Sequence, residues 1–297
     1  MQSGEGTING VVATLTSDHV RAAASLVKTG KIYSLAVITN PEIHAYPGRG
    51  YQVLTAPIYI GSGDEGHTYG ENKLQGIDDF ICLWCGVGTH MDGFGHIAID
   101  GKHLHGVPTK QVIHSRGAVQ YGVETIPPIA TRGILLDICR LKRVDALDSS
   151  YEITREDIDA ACARQGTEIR PGDVVITHTG LLKDIENKRS YKAGGVGAQN
   201  LDSEAGIGLS AAKYLVEEKG VVVVGADNWA LEVIPAPERG MFLPLHEYLL
   251  VRKGVHIMEN IWTRDLVRDR IYEFLFVVAG PKLSGAVQMP IHPIAIC

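Results

Sequence analysis

The sequence predicts an α/β fold in which flanking helices cover a mixed sheet core. Helical and strand-like segments alternate along the chain, which is the pattern of α/β and α+β proteins. Apolar residues make up 45% of the 297 residues, enough for a substantial core. Many α/β folds of this length are single units, so we expect one domain over 1–297, with residues 1–30 as an N-terminal helical extension.

The first 40 residues predict one helix and one strand. Residues 16–18 (Thr-Ser-Asp) are types whose side chains accept hydrogen bonds from the first amides of a helix, so a helix over 19–28 is expected. Gly30 would end this helix, because glycine tolerates the backbone conformation found after a last helical turn. The apolar segment 32–38 then predicts a strand.

A second capping pattern predicts a helix that begins near Thr154. Thr154 and Asp157 resemble a capping box, so a helix should begin there and end near Gly166. The other predicted elements are strands over 174–177, 221–224, 255–261 and 272–278, and helices over 211–218 and 245–252 that Gly220 and Gly254 would end. The glycine-rich segment 193–208 is either a surface loop or a lid over a site.

Charge and hydropathy argue against two classes of partner. The formal net charge is -6 and Lys and Arg are spread along the chain, so a nucleic-acid partner is not expected. The longest apolar run, around 221–224, is far too short to cross a bilayer. Residues 1–10 lack the basic and apolar regions of a secretory signal, so we expect a cytoplasmic protein that acts on a small molecule.

The five cysteines are odd in number and irregularly spaced, so they do not indicate a disulfide framework. Cys82 and Cys85 form a C-x-x-C pair, which keeps a thiol redox protein open as an alternative function. The chain has no second pair, and this one lies next to the apolar residues 80–84. The pattern therefore favours buried structural thiols.

One short segment carries most of the residues suited to catalysis. His90 and Asp92 are two residues apart, so on a strand both side chains point to one face. An imidazole nitrogen and a carboxylate oxygen together suit zinc or manganese. Gly93 and Gly95 would let the chain bend and bring His96 back near the same place.

Such an arrangement has a chemical use. A bound metal lowers the pKa of its water from about 16 to roughly 7. A neutral histidine beside it can act as general base and then as general acid. From the residues alone, a metal site and a set of buried, hydrogen-bonded polar residues both remain open.

The same segment resembles a family motif. It reads Gly86-Val87-Gly88-Thr89-His90-Met91-Asp92-Gly93-Phe94-Gly95-His96, against H-x-G-T-H-x-D-x-P-x-H. That motif is typical of the Putative cyclase family of metal-dependent hydrolases, which includes bacterial kynurenine formamidase, isatin hydrolase and trans-dienelactone hydrolase. Two positions depart from it: Gly86 replaces the first histidine and Phe94 replaces the proline.

Further segments resemble motifs of that family in the same order. They are 172–180 (GDVVITHTG), 225–232 (GADNWALE, which ends in a carboxylate), the pair His246 and Glu259, and 272–274 with the tail 290–296. The resemblance spans roughly residues 31–296. Alternation along 255–261 also places Glu259 on the face of two apolar residues, where a buried carboxylate needs a partner such as a metal.

The resemblance implies a site, a reaction and an assembly. His90, Asp92, His246 and Glu259 would bind the divalent metal, zinc or manganese, and His96 would transfer protons. The reaction would be hydrolysis of a small cyclic ester or amide, or of a related linear amide. The implied architecture is the swivelling β/β/α fold, in a homodimer or homotetramer.

Substrate contacts are predicted at a second set of positions, each with a simpler alternative. The candidates are Arg49, Trp84, His105, His178 and Asp227. Arg49 could bind a carboxylate in a forked pair or lie exposed in a loop. His178 and Asp227 end predicted strands, where α/β sheets often bind ligands.

His103 and His105 lie close together in the segment 100–106. His103 is expected in a solvated turn, whereas His105 could line the pocket. A non-catalytic metal- or ligand-binding module stays open beside the hydrolase and the redox protein.

Overall fold

The structure is a computed structural model that describes residues 8–41, 43, 48–57, 70–74, 76–184 and 203–297. The strands within these ranges are β1 (Ile32–Ser34), β2 (Tyr51–Pro57), β3 (Ile77–Leu83), β4 (His90–Asp92), β5 (Ile113–His114), β6 (Gly117–Ala118), β7 (Ile129–Asp137), β8 (Glu152–Ile153), β9 (Val174–His178), β10 (Gly206–Ile207), β11 (Val223–Ala226), β12 (His256–Glu259), β13 (Glu273–Val278), β14 (Gln288–Pro290) and β15 (Ile294–Ile296). The α-helices are α1 (Ser17–Ala24), α2 (Thr109–Val112), α3 (Ile138–Lys142), α4 (Arg155–Gln165), α5 (Leu209–Lys213), α6 (Pro244–His246) and α7 (Arg264–Asp269).

Nine strands form one mixed sheet, in the order β1-β15-β13-β7-β9-β11-β12-β4-β14. The central strands β7, β9, β11 and β12 run parallel to one another. The strands on both sides pair antiparallel with their neighbours. The predicted α/β class with a mixed sheet is therefore confirmed. Distant parts of the chain meet at one end of the sheet, where β4 lies between β12 and β14.

Two apolar cores cover the two faces of the sheet. On β7, Ile134 and Leu136 pack into the first core and Leu135 into the second, as the two-residue period of a strand requires. The first core contains α4, α5 and the helix that follows α6. The second contains Leu266 of α7 and the methionines Met91 and Met258. This division decides which polar side chains can meet at each face.

Most predicted elements are present, with changed ends. The helix α4 begins after Thr154, whose side chain accepts from the Asp157 amide, and ends at Gly166 with φ +70°. The helix predicted over 245–252 is the short α6, which continues as a π-helix (Glu247–Lys253) up to Gly254. The strand predicted over 32–38 stops at Ser34, because only residues 32–34 pair with β15.

The hairpin of β2 and β3 differs from the prediction. The apolar stretch next to Cys82 was expected to be buried, but the side chain of Phe80 is 64% exposed and Cys82 is exposed. The two strands form a sheet of their own, apart from the nine-stranded sheet. Within the described ranges, no helix has the length and apolar character needed to cross a membrane.

The glycine-rich segment 193–208 lies outside the described residues as far as 202. From 203 onward it is ordered chain: Gly206 and Ile207 form β10, which pairs parallel with β8. This end of the segment is therefore anchored to the strand before α4. Residues 206–207 therefore belong neither to a lid nor to a surface loop.

Candidate metal centre

The pairing of β4 with β12 brings three potential ligands to one face of the sheet. His90 lies directly opposite Glu259, and Asp92 lies opposite Ile257. Ile257 packs into the first core, so the side chains of His90, Asp92 and Glu259 all point to that side. All three are buried. The common face predicted for His90 and Asp92 follows from their places on β4, which is a strand as expected.

The donor atoms of these residues lie close together. His90 Nε2 is 3.0 Å from Glu259 Oε2 and 3.7 Å from Asp92 Oδ1. One ligand atom from each residue lies within 4.8 Å of the others, a spacing that can hold a metal ion. One imidazole and two carboxylates therefore converge on a single point.

His246 reaches the same cluster from the last residue of α6. Its Nε2 lies 3.3 Å from Glu259 Oε1 and 3.6 Å from Asp92 Oδ2. The side chain is buried, so His246 is not a solvent-facing residue of this helix. The structure thus brings together all four residues that the family resemblance implies as metal ligands.

Outer contacts fix how the two histidines face the cluster. Nδ1 of His90 donates to the carbonyl of Gly88 at 2.9 Å, and Nδ1 of His246 donates to Glu232 Oε1 at 2.7 Å. Each ring therefore directs the lone pair of Nε2 at the cluster, as in metal-binding histidines. Gly88 has φ +70°, and a Cβ there would overlap the Thr39 hydroxyl, so only glycine fits this turn.

Buried atoms without partners test whether a cation fits. Among the described residues, His90 Nε2, Asp92 Oδ2 and Glu259 Oε1 are buried and accept or donate no hydrogen bond. Unpartnered buried polar atoms are costly, and a cation bound between them would remove that cost. Nitrogen and carboxylate donors of this kind suit zinc or manganese. The donor set therefore fits a divalent metal.

The charges in the cluster support each other. Burial alone would raise the pKa of Glu259, but His246 and His90 beside it hold that pKa below its ordinary value. The carboxylate therefore stays ionised although it is buried. An ionised carboxylate is the form that binds a cation.

His96 lies at the edge of the cluster. Its Nε2 is 4.0 Å from Asp92 Oδ2, and 18% of its side chain is exposed, more than for the four ligands. Burial is the main cause that lowers the pKa of His96 below its ordinary value, so its ring is neutral near pH 7. A neutral ring that reaches solvent can accept a proton.

The turn before His96 exists, but its glycines serve another purpose than expected. The amide of His96 donates to the carbonyl of Gly93 at 3.0 Å. Neither Gly93 nor Gly95 has a positive φ. A Cβ at Gly95 would lie 2.8 Å from Val287 Cγ1, so glycine is needed there for close packing rather than for bending.

Phe94, which replaces the family's proline, has a clear packing role. Its ring stacks on His256 at 4.1 Å with an interplanar angle of 18°, and it is buried. Nδ1 of His256 donates to the Asp92 carbonyl at 2.9 Å, which supports the backbone of a ligand. Burial lowers the pKa of His256 to about 4, so this ring stays neutral.

His178 and Asp227 do not join the centre. His178 alternates with Val174 and Ile176 on the face of the second core, opposite to the cluster. They form a pair in which His178 Nδ1 lies 2.8 Å from Asp227 Oδ2. His178 lines a cavity of about 550 Å³ between α3 and α7 whose lining contains none of the four ligands.

The other predicted contacts have mixed positions. Trp84 is 59% exposed at the end of the hairpin, and His105 is exposed with φ +58°. Arg49 is half-buried and lies beside Gly86. The prediction for His103 is wrong: it is 2% exposed, and its Nδ1 donates to the Phe94 carbonyl at 3.1 Å.

Two supporting residues are not among the site residues predicted from the sequence. Gln288 Nε2 donates to Asp92 Oδ1 at 2.7 Å. Glu232 accepts from the His246 ring and from the amides of Leu245 and His246. The family motif that ends at residue 232 pointed to a carboxylate near the site, whereas no local pattern pointed to Gln288.

Solved structures share this fold. A crystal structure described as a novel cyclase has a TM-score of 0.84 and 29% identity, covering 99% of this chain and 95% of its own. Isatin hydrolase A from Ralstonia solanacearum has a TM-score of 0.64 and 15% identity, with 99% of both chains covered. Isatin hydrolase A from Labrenzia aggregata, bound to benzyl benzoate, has a TM-score of 0.60 and 17% identity, covering 89% of this chain and 93% of its own.

Sequence comparison gives the family. Among curated proteins, none matches the chain significantly. The model of the family described as Putative cyclase matches residues 33–233, which is more than half of the chain and includes the segment from Gly86 to His96. The chain therefore belongs to the Putative cyclase family.

Proposed function

We propose that this protein is a metal-dependent hydrolase that opens a small cyclic ester or amide, or cleaves a related linear amide. The observation that carries this proposal is the set of three buried atoms without hydrogen-bond partners on His90, Asp92 and Glu259. Family membership and the names of two fold neighbours, both isatin hydrolases, support the same reaction class.

The residues have separate tasks in this proposal. His90, Asp92, His246 and Glu259 would hold a zinc or manganese ion through the atoms that face one another. Such an ion polarises a carbonyl group as a Lewis acid and makes water acidic enough to react near neutral pH. His96, at the solvent edge, accepts a proton from the attacking water at Nε2 and returns it to the leaving group.

The thiol redox alternative has little structural support. Burial raises the pKa of Cys85, which lowers the fraction of reactive thiolate. Cys82 and Cys85 are both free thiols near the end of the exposed hairpin. A redox protein would keep its activity after chelation and lose it in Cys85→Ser, which is opposite to the result we expect.

A substrate panel tests the proposed reaction. The apo-protein is reconstituted with zinc or manganese and assayed against lactones, isatin-like imides and N-formyl anilines. We expect hydrolysis of at least one class, its loss on chelation and its recovery on adding the metal. Metal binding without turnover of any class would favour the non-catalytic binding module instead.

The predicted homodimer or homotetramer stays part of the proposal. Its support is the apolar exposed surface of β3, where Ile77, Phe80 and Ile81 are each more than half exposed. A second copy of the chain is the expected partner for this surface. Light scattering gives the mass, and Phe80→Glu should shift it to that of the monomer.

A further inference from the structure

The family motif lacks one donor in this chain, and other side chains occupy the place of that donor. Gly86 stands where the motif has its first histidine. A Cβ built at Gly86 would lie 2.8 Å from Arg49 Nη1 and 2.8 Å from Gln288 Oε1. The space in front of residue 86 is therefore filled by a guanidinium and a carboxamide.

Gln288 connects this space to the metal centre. It lies on β14 directly opposite Asp92 on β4. Its Nε2 donates to Asp92 Oδ1 at 2.7 Å, while Asp92 Oδ2 is buried without a hydrogen-bond partner. The two oxygens of Asp92 are thus used differently: Oδ1 is held by the amide, and Oδ2 faces His246 and His96.

We propose that Arg49 and Gln288 replace both the missing histidine and a second cation, so that the site holds one metal ion beside a guanidinium that binds a carboxylate. The proposal rests on the proposed function, because the carboxylate is the group that hydrolysis of an ester or amide produces. Arg49 is the contact for that product, or for a carboxylate already present on the substrate.

Charge and hydrogen bonding give the physical reason. A cation beside Asp92 Oδ1 would meet the partly positive hydrogens of the Gln288 amide, which already occupy that oxygen. With no side chain at residue 86, such a cation would also lack a nitrogen ligand. The guanidinium of Arg49 supplies positive charge in front of residue 86, where the histidine would stand, and its planar fork matches a carboxylate.

Calorimetric titration of the apo-protein with zinc and with manganese tests the number of ions. We expect saturation at one equivalent per chain, confirmed by elemental analysis after dialysis. Two tight equivalents would overturn the proposal. This measurement needs no substrate, so it is independent of any assay of turnover.

The role of Gln288 has its own variant and control. Gln288→Met keeps the length of the side chain but removes the donor to Asp92, and we expect a metal affinity roughly 10- to 100-fold lower. Gln111→Met, on an exposed glutamine of α2, serves as the matched control and should bind as the wild type does. Thermal melting identifies a folding defect, in which case Gln288→Ala is titrated instead. Wild-type affinity in a folded Gln288 variant would refute the positioning role.

The role of Arg49 is tested with benzoate and its neutral analogue benzamide. We expect Arg49→Met to weaken benzoate binding to the zinc-loaded protein by about 10-fold or more, the scale of a hydrogen bond to a charged group, and to leave benzamide unchanged. Arg116→Met, on an exposed arginine, is the control. Equal benzoate affinity in Arg49→Met and wild type would overturn the carboxylate role.

The outcomes separate this inference from the proposed function. Suppose that the protein binds one ion and that Gln288→Met binds it with lower affinity, but that no substrate of the panel is hydrolysed. This result would reject the hydrolase and keep the one-ion centre. Hydrolysis together with two tightly bound ions would keep the hydrolase and reject the inference.

Discussion

Two buried histidine–carboxylate groups lie on opposite faces of the same sheet, and they differ in how completely their polar atoms are paired. On the first-core face, His90, Asp92 and Glu259 each keep a buried atom without a hydrogen-bond partner. On the other face, His178 and Asp227 form a 2.8 Å ion pair. Both groups are buried, and both combine histidine with carboxylate side chains.

The side chains of His178 and Asp227 both have further hydrogen-bond partners. Asp227 accepts from the amide and hydroxyl of Thr179 and from the amide of Gly180, and the Thr263 hydroxyl lies 2.7 Å from the His178 ring. Burial alone would lower the pKa of His178, but the charge of Asp227 raises it to about 10. A perturbed pKa therefore does not identify the candidate metal centre. What distinguishes it is that buried atoms without hydrogen-bond partners belong to three residues whose ligand atoms lie within 4.8 Å of one another.

The largest expected effect on the centre comes from Asp92→Asn. The substitution keeps the shape of the side chain and removes a charged ligand, so we expect metal affinity to fall by roughly 100-fold or more and hydrolysis to be lost. Elemental analysis and calorimetry measure the metal. Asp148→Asn, on an exposed aspartate, is the control. Equal metal content in Asp92→Asn and wild type would remove Asp92 from the ligand set.

His96→Ala should affect turnover but not metal binding. We expect kcat to fall by about 10²-fold or more, the scale of general acid–base catalysis, while metal content and melting temperature stay near those of the wild type. Steady-state kinetics on the best substrate of the panel gives the comparison. Unchanged kcat would reject the proton-transfer role, and a large drop in melting temperature would indicate a structural role instead.

Glu232→Gln should weaken the centre more moderately. The amide oxygen can still accept from His246 Nδ1, but it carries no negative charge, so the ring loses basicity. The NH2 group cannot accept from the Leu245 amide as Oε2 does, so the position of the ring is also less well held. We expect metal affinity to fall about 10- to 100-fold, with one ion still bound at saturation. Calorimetry decides, with exposed Glu156→Gln as the control. Wild-type affinity would mean that the backbone alone positions His246.

Asp227→Asn should leave the centre unchanged and destabilise the fold. Breaking a buried ion pair costs about 3–5 kcal/mol, because the remaining partner loses its compensation. Denaturant unfolding measures this cost, and metal affinity measured in parallel should match the wild type. A large loss of metal binding in folded Asp227→Asn would show that the two groups are coupled, contrary to the comparison.

The same pair should also give stability a pH dependence that does not involve the metal centre. The pKa of His178 is about 10 in the folded chain and near 6.5 when unfolded, so the folded state holds the proton more tightly. Its stabilisation is complete below pH 6.5 and is lost as pH rises towards 10. The free energy of unfolding should therefore fall across this window in the wild type, and fall less in Asp227→Asn. Identical slopes would contradict the protonated state of His178.

Local patterns were sufficient where a side chain's direction depends only on its own element. The two-residue period of a strand places His90 and Asp92 on one face, and it places Glu259 among apolar residues; the structure shows both. The capping box at Thr154 likewise fixes where α4 begins. Such features arise within a few residues, so the sequence alone determines them.

Position between elements was decided by the tertiary structure alone. Five of the seven residues of β3 are apolar, yet six of the seven are exposed, and β3 pairs only with β2 among the described strands. His178 ends a strand as predicted but faces the second core.

Gln288 shows why the sequence did not predict contacts between distant elements. It meets Asp92 from 196 residues away, through the register of β14 against β4. The sequence by itself determined the fold class, the helix caps and the common face of His90 and Asp92. Which distant groups share that face, and which donors there stay unpaired, depends on strand order and register, because long-range packing sets them and no local period encodes them.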